Sequence, residues 1–211
     1  MKKLLLTTLI ASLLLLPLGT VALADDEAPT PAETEMEYVE YISGQAPAQS
    51  SVEAMAPALH AVLLAMENRD QSVFTTADSS LSWEMLYNLL SMYGQLDDRS
   101  TYEGEQLVLP SETVMDYSAA LFELPPAVET LPAELADRMT YDAGLDEYRL
   151  YCGSDALSQV VIDSTADSVG SVELTGRLVY LAEDETLCSF TASLAVCDNL
   201  FGYTLTELNV A

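Results

Sequence analysis

Lysine is absent from this chain after residue 3, and histidine occurs once, at His60. Cysteine occurs three times, at Cys152, Cys188 and Cys197. Each scarcity removes a class of chemistry. Without lysine in the body of the chain there is no amine for a Schiff base. A serine or cysteine nucleophile needs an imidazole base beside it. Only His60 is on offer, and no G-x-S-x-G stretch occurs. Zinc takes Cys and His clustered at close spacing, which these scattered residues do not supply. No phosphate loop and no G-x-G-x-x-G fingerprint is present. No cofactor is indicated.

Basic residues are scarce altogether. Lys and Arg total 7 against 34 Asp and Glu, a formal charge of −27. The chain opens Met1-Lys2-Lys3, runs mostly apolar over residues 4–16, breaks at Pro17 and Gly19, and reaches Ala22-Leu23-Ala24 before Asp25. A basic start, a short apolar core and a small-x-small site make a secretory signal. The core is shorter than the roughly 20 residues that span a bilayer. Cleavage after Ala24 is expected, which places the mature protein in the medium or cell envelope. It would keep Arg69, Arg99, Arg138, Arg149 and Arg177 against all 34 acids, or 5 − 34 = −29. Such a surface repels nucleic acid and anionic membranes, because phosphate contacts need cations. It suits cationic ligands, calcium or high salt, or simply a well-solvated exterior.

Residues 25–50 are rich in Asp, Glu, Pro and Ala and read as a disordered linker. Tyr38, Val39, Tyr41 and Ile42 interrupt it and are placed to dock on a partner or on the domain. Residues 51–211 form the expected single domain. Its size is enough for a core without metal or disulfide.

The first predicted helix covers residues 52–67, with Met55, Leu59, Val62, Leu63 and Met66 at spacings of three and four. His60 lies on it, as a structural or exposed residue. The clearest helix covers 81–93, with N-caps at Asp78, Ser79 or Ser80 and Gly94 as the stop. A short strand at 106–109 and a helix at 112–122, capped by Ser111, follow. From Arg138 the period is two. Tyr148, Leu150 and Cys152 alternate with Arg149 and Tyr151. Val160-Val161-Ile162 precedes an expected polar loop at 163–170. Three strands close the chain, at 171–182, 186–197 and 201–210. In the middle one Cys188, Phe190, Ala192, Leu194 and Val196 share a face.

Helices first and strands after predict an α+β fold: N-terminal helices on one face of a curved antiparallel sheet of about five or six strands. The element order over residues 52–210 is similar to the cone-shaped fold of the ketosteroid isomerase and nuclear transport factor superfamily. No catalytic residue of that superfamily has a counterpart here, so the resemblance implies a fold alone.

Cys188 and Cys197 lie too far apart on one strand to bridge. Cys152 with Cys188 is the better disulfide candidate. The alternative is that both are buried thiols. Asp163-Ser164-Thr165 lacks the glycine of an aspartic-protease triplet. The clusters Asp142/Asp146/Glu147, Asp163/Asp167 and Glu183/Asp184/Glu185 do not fit a calcium loop and read as solvated turns. With the catalytic sets missing, the expected function is an exported, non-enzymatic binding or interaction module for a protein or small ligand. The alternative is a small-molecule pocket between helices and sheet, catalytic or not, lined by Trp83, Tyr87, Tyr93, Phe122, Tyr180 and Phe190.

Overall fold

A computed structural model describes residues 51–153 and 157–211. The expected signal at 1–24 and linker at 25–50 lie outside the described residues. The fold is α+β, but with two antiparallel sheets of four strands rather than one curved sheet of five or six.

Two helices come first, and a third follows the first two strands. A 3₁₀ turn, Val52–Met55, leads into α1, Ala56–Glu67, with Pro57 in its opening turn. α1 is apolar almost all round, and nine of its residues are buried. A helix of that kind belongs inside a domain rather than on its surface. α2, Ser79–Tyr93, is capped by Asp78, whose carboxylate accepts the Ser80 and Leu81 N–H groups at 2.9 and 3.3 Å. Gly94 does follow α2, but with a right-handed φ of −61°. A Cβ there would meet Leu109 at 3.2 Å, so close packing against a strand, not a left-handed turn, accounts for the glycine. α3, Ser111–Ser118, is shorter than expected. Ser111 is its first residue rather than its cap, and Pro110 stands at the cap position.

The first sheet has the order β1-β2-β4-β3, from β1 Thr101–Glu103, β2 Gln106–Pro110, β3 Met139–Asp142 and β4 Glu147–Tyr151. β1 and β3 were not expected. β1 is exposed at all three residues, so it carries no apolar alternation to read. The second sheet runs β5-β6-β7-β8 in sequence order: β5 Ser158–Ser168, β6 Ser171–Tyr180, β7 Glu185–Val196 and β8 Tyr203–Val210. The expected polar loop at 163–170 is mostly strand. From Asp163 to Ser168 β5 is exposed on both faces, so polar residues occupy strand positions. Only Val169 and Gly170 turn, Gly170 with φ +77°.

The helices lie between the sheets. α1 crosses the second sheet, and Asn88 of α2 donates to its Ala61 carbonyl at 3.3 Å. α2 covers the first sheet: the Trp83 and Tyr148 rings are 6.5 Å apart, and Tyr87 Oη donates to the Tyr151 carbonyl at 2.9 Å. One continuous core joins Leu59, Leu63, Trp83, Leu90, Leu107, Leu150, Leu178 and Phe190. Within β7 the predicted inner face holds for Cys188, Phe190, Ala192 and Leu194, whereas Val196 is exposed where the sheet outruns its cover.

Candidate functional site

Two places gather polar chemistry. The first is inside. His60 reaches from α1 to β5, with Nε2 2.9 Å from Ser158 Oγ, and its Nδ1 lies 2.7 Å from Tyr93 Oη. His60 and Ser158 are both buried. Sequence reasoning missed this pairing because 98 residues separate the partners and nothing local marks Ser158. A serine–histidine contact invites a nucleophile reading. The proton placement opposes it. A phenol is a far stronger acid than an alkyl hydroxyl, which favours the tautomer in which Tyr93 O–H donates to Nδ1. In that tautomer the remaining ring proton sits on Nε2 and points at Ser158. That tautomer donates to the serine and cannot take its proton. The arrangement ties α1 to β5 and to the end of α2.

The second place is a surface groove of about 560 Å³. Three segments build it. The first is Phe74 to Ser82, held by Phe74 N–H donating to the Leu208 carbonyl at 2.8 Å and by the Asp78 cap. The second is the connection after α3. It is anchored to β8 by Leu205 N–H on the Ala120 carbonyl at 2.8 Å and Thr204 Oγ1 on the Ala119 carbonyl at 2.6 Å. Asn199 adds a third tie, donating to Ala119 and Tyr203 carbonyls at 3.0 Å each. The third is the 3₁₀ turn Val128–Thr130, fixed by Trp83 Nε1 donating to Thr130 Oγ1 at 3.0 Å. Phe74, Ala77, Leu121, Phe122, Leu124, Pro126, Ala127 and Leu205 supply the apolar lining; Thr76, Ser79, Ser82, Thr130, Thr204 and Thr206 supply hydroxyls. The Ser79 hydroxyl oxygen is buried without a hydrogen-bond partner. Glu123 is the only ionisable residue in the lining.

Of the six residues expected to line a pocket, Phe122 alone borders this groove. Trp83 and Tyr87 are buried under the first sheet, and Phe190 is buried in the second. Tyr93 is spent on His60. Tyr180 sits half-buried in β6. The sequence did carry one sign of the groove, the hydroxyl-rich run from Thr75-Thr76 to Ser79-Ser80 that leads into the first turn of α2.

The three cysteines are free thiols: Cys152 exposed, Cys188 buried, Cys197 between. Cys152 lies past the end of β4 beside Tyr102, whose Oη is 3.3 Å from its Sγ, rather than on an apolar face facing Cys188. Burial, then the nearby Glu67 carboxylate, pushes the Cys188 thiol up to about 11, which keeps it protonated and unreactive.

Every arginine among the described residues is engaged. Arg69 bonds Glu84 at 2.6 Å, Arg99 bonds Asp97 and Asp116 at 2.8 Å each, and Arg177 bonds Asp163 at 2.9 Å. Arg149 pairs with Glu103 and Glu147, and Arg138 stacks 4.7 Å over the Tyr87 ring. The acidic turns satisfy themselves: Asp142 accepts the Gly144 N–H at 2.8 Å, and Tyr141 donates to Asp146 at 2.7 Å. Among the described residues no three His, Cys, Asp or Glu side chains are grouped to hold a metal ion. No protein-family model matches the chain, and no curated protein matches it.

Proposed function

We propose that this chain is an exported, non-enzymatic binding module that holds a small amphiphilic ligand, neutral or cationic, in the groove between the α2 N-terminus, the 119–130 connection and β8. One observation carries the reading: a groove of about 560 Å³ whose lining mixes eight apolar residues with six hydroxyls and one carboxylate and contains no histidine, thiol or cation. That volume is within the usual range for small-ligand sites, about 300–1,000 Å³. Hydroxyls accept and donate hydrogen bonds without demanding a charge on the ligand. The single carboxylate, Glu123, and the surrounding acidic field favour a cation over an anion. The engagement of each described arginine by a carboxylate or ring speaks against anionic partners for the same reason.

The test is a titration followed by amide chemical shifts. Octylamine and octanol should each move the resonances of Phe122, Thr130 and Thr204 saturably, with the amine binding more tightly, and octanoate should not. Ala127→Trp, which fills the groove from an exposed position, should abolish the shifts while leaving the thermal midpoint nearly unchanged. Shifts that do not saturate, or that map elsewhere, would sink the proposal.

A further inference from the structure

The second sheet has an outer face, turned away from the helices, and alternation sorts the residues between the two faces. In β5, Val160 and Ile162 pack against the core and Val161 between them does not. In β6, Leu178 belongs to the core, whereas Val179 is 4% exposed and yet stands outside it. Val179 is therefore buried on the outer face. Leu181 follows it two residues on, and its N–H donates to the Leu157 carbonyl at 2.7 Å, so this pair extends the β5–β6 ladder by one step. The period of two puts Leu157, Val161, Val179 and Leu181 on the same outer face. Leu187 is the extra residue of the bulge in β7 beside Leu178 and Val179. Leu157, Leu181 and Leu187 are exposed, at 57, 47 and 47%. Further along, the outer positions are Glu173, Thr175, Ser189 and Thr191, which gives this apolar patch a polar border.

Contiguous exposed apolar surface with a polar rim marks an interaction site, and the charge and size of this one narrow its occupant. The turn joining β6 to β7 carries Glu183, Asp184 and Glu185, all exposed. The one cation of strands β5 to β8 is Arg177, and both of its forward nitrogens are engaged by Asp163 at 2.9 Å. The patch is thus bordered by three carboxylates with no cation among these strands left to balance them. It spans three strands, a width of about 10 Å, and the four residues from Leu157 to Val161 give it a length of about 13 Å. One α-helix is about 10–12 Å across, and two of its turns rise about 11 Å.

We infer that the outer face of the second sheet, around Leu157, Leu181 and Leu187, docks a cationic amphipathic helix of a partner protein. Two turns of its apolar stripe cover the leucines, and lysines or arginines beside the stripe meet Glu183, Asp184 and Glu185. A second copy of the chain is a poorer occupant, because it brings the same acidic turn and a large negative excess of its own. The patch shares no residue with the groove, and the two sites can be filled independently.

The probe is a model amphipathic helix built from leucine and lysine, titrated into the full chain and followed by amide chemical shifts. It should move the resonances of Val179, Leu181 and Leu187 saturably, and the same helix built from leucine and glutamate should not. Leu181→Ser/Leu187→Ser alters two exposed positions without changing the charge, and should weaken binding about tenfold while the amide spectrum of the core stays in place. Glu183→Gln/Glu185→Gln, which leaves both leucines, should weaken it as well. Equal affinity in the serine variant would reduce the contact to charge attraction and overturn the assignment. So would shifts that map elsewhere. Shifts at these residues that grow with protein concentration alone would give the face to a second copy, and binding of phosphatidylcholine vesicles in place of the peptide would give it to a lipid surface; either result also overturns it.

Discussion

His60 Nε2 and Ser158 Oγ sit 2.9 Å apart inside the domain, joining the first helix to the first strand of the second sheet. The contact has the makings of a catalytic pair, but both partners are buried and the favoured tautomer makes it a structural one. Two outcomes follow. A fluorophosphonate probe should leave Ser158 unmodified, as judged by intact mass. His60→Ala should cost about 1–3 kcal/mol by urea unfolding, the scale for breaking buried hydrogen bonds. Labelling of Ser158 that His60→Ala abolishes would reverse the assignment.

Gly176 faces Phe190 across β6 and β7. A Cβ at 176 would lie 2.7 Å from the Phe190 ring and 2.6 Å from the Val161 carbonyl oxygen. The ring can move, but the carbonyl belongs to the neighbouring strand. Gly176→Ala should therefore destabilise by about 1–3 kcal/mol. Adding Phe190→Leu should recover only part of that loss, measured by denaturant midpoint.

The Asp97 carboxyl is buried, which alone would raise its pKa. The Arg99 guanidinium and backbone N–H outweigh burial and hold it below the ordinary range. A carboxylate lowered by folding adds stability that is present above its unfolded value, about 3.9, and lost as pH falls through the lower folded value. Asp97→Asn should be less stable at pH 7. Its stability should also change less between about pH 4 and pH 2, which a pH series of thermal midpoints reads directly.

Thiol alkylation should separate the cysteines. Cys152, exposed past β4, should react with iodoacetamide in the folded protein. Cys188, buried and with its thiol pushed up to about 11, should react only after unfolding. All three should titrate in denaturant without reductant. A missing pair of thiols, restored by reductant, would show that Cys152 and Cys188 bridge after all.

Salt should stabilise. The described arginines are already engaged, so added ions screen mainly repulsion among the surplus carboxylates. Screening shortens from about 30 Å at 0.01 M to about 3 Å at 1 M. The thermal midpoint should rise by several degrees over that range, alike for sodium and potassium chloride. A flat response would mean that the acidic surface is already fully solvated and uncoupled.

The helices and the strands β6 to β8 were legible in the sequence because each buries one side, and burial imposes a period. What was illegible lacks that imprint. β1 is exposed throughout, and the outer half of β5 is exposed on both faces, so Thr165 and Asp167 occupy strand positions without looking like strand. The division into two sheets was hidden for a related reason. Helices covered by sheet on both sides show the same broad apolar face as helices lying on one deep sheet. The candidate groove was largely invisible. Its walls come from Phe74, Phe122 and Leu205, brought together by backbone bonds among the 119–122 turn, the segment before α2 and β8. The aromatic residues that caught attention, Trp83 and Phe190, belong to the core. Large rings mark burial more reliably than they mark access.

α1 is the most deeply covered helix of the domain and also the earliest α-helix among the described residues. Its apolar faces wait for partners that come much later: Ser158 follows His60 by 98 residues, and Asn209, which meets the chain just after α1 at Val73, lies in β8. A chain made from its N-terminus carries this helix without its full cover until β8 has emerged. Non-local closure of that kind slows folding and prolongs the exposure of apolar surface. The same arrangement makes the last strand a proofreader of length. A chain cut short before β8 has no lock for its first helix, so truncated copies should be cleared or aggregate rather than persist half-folded.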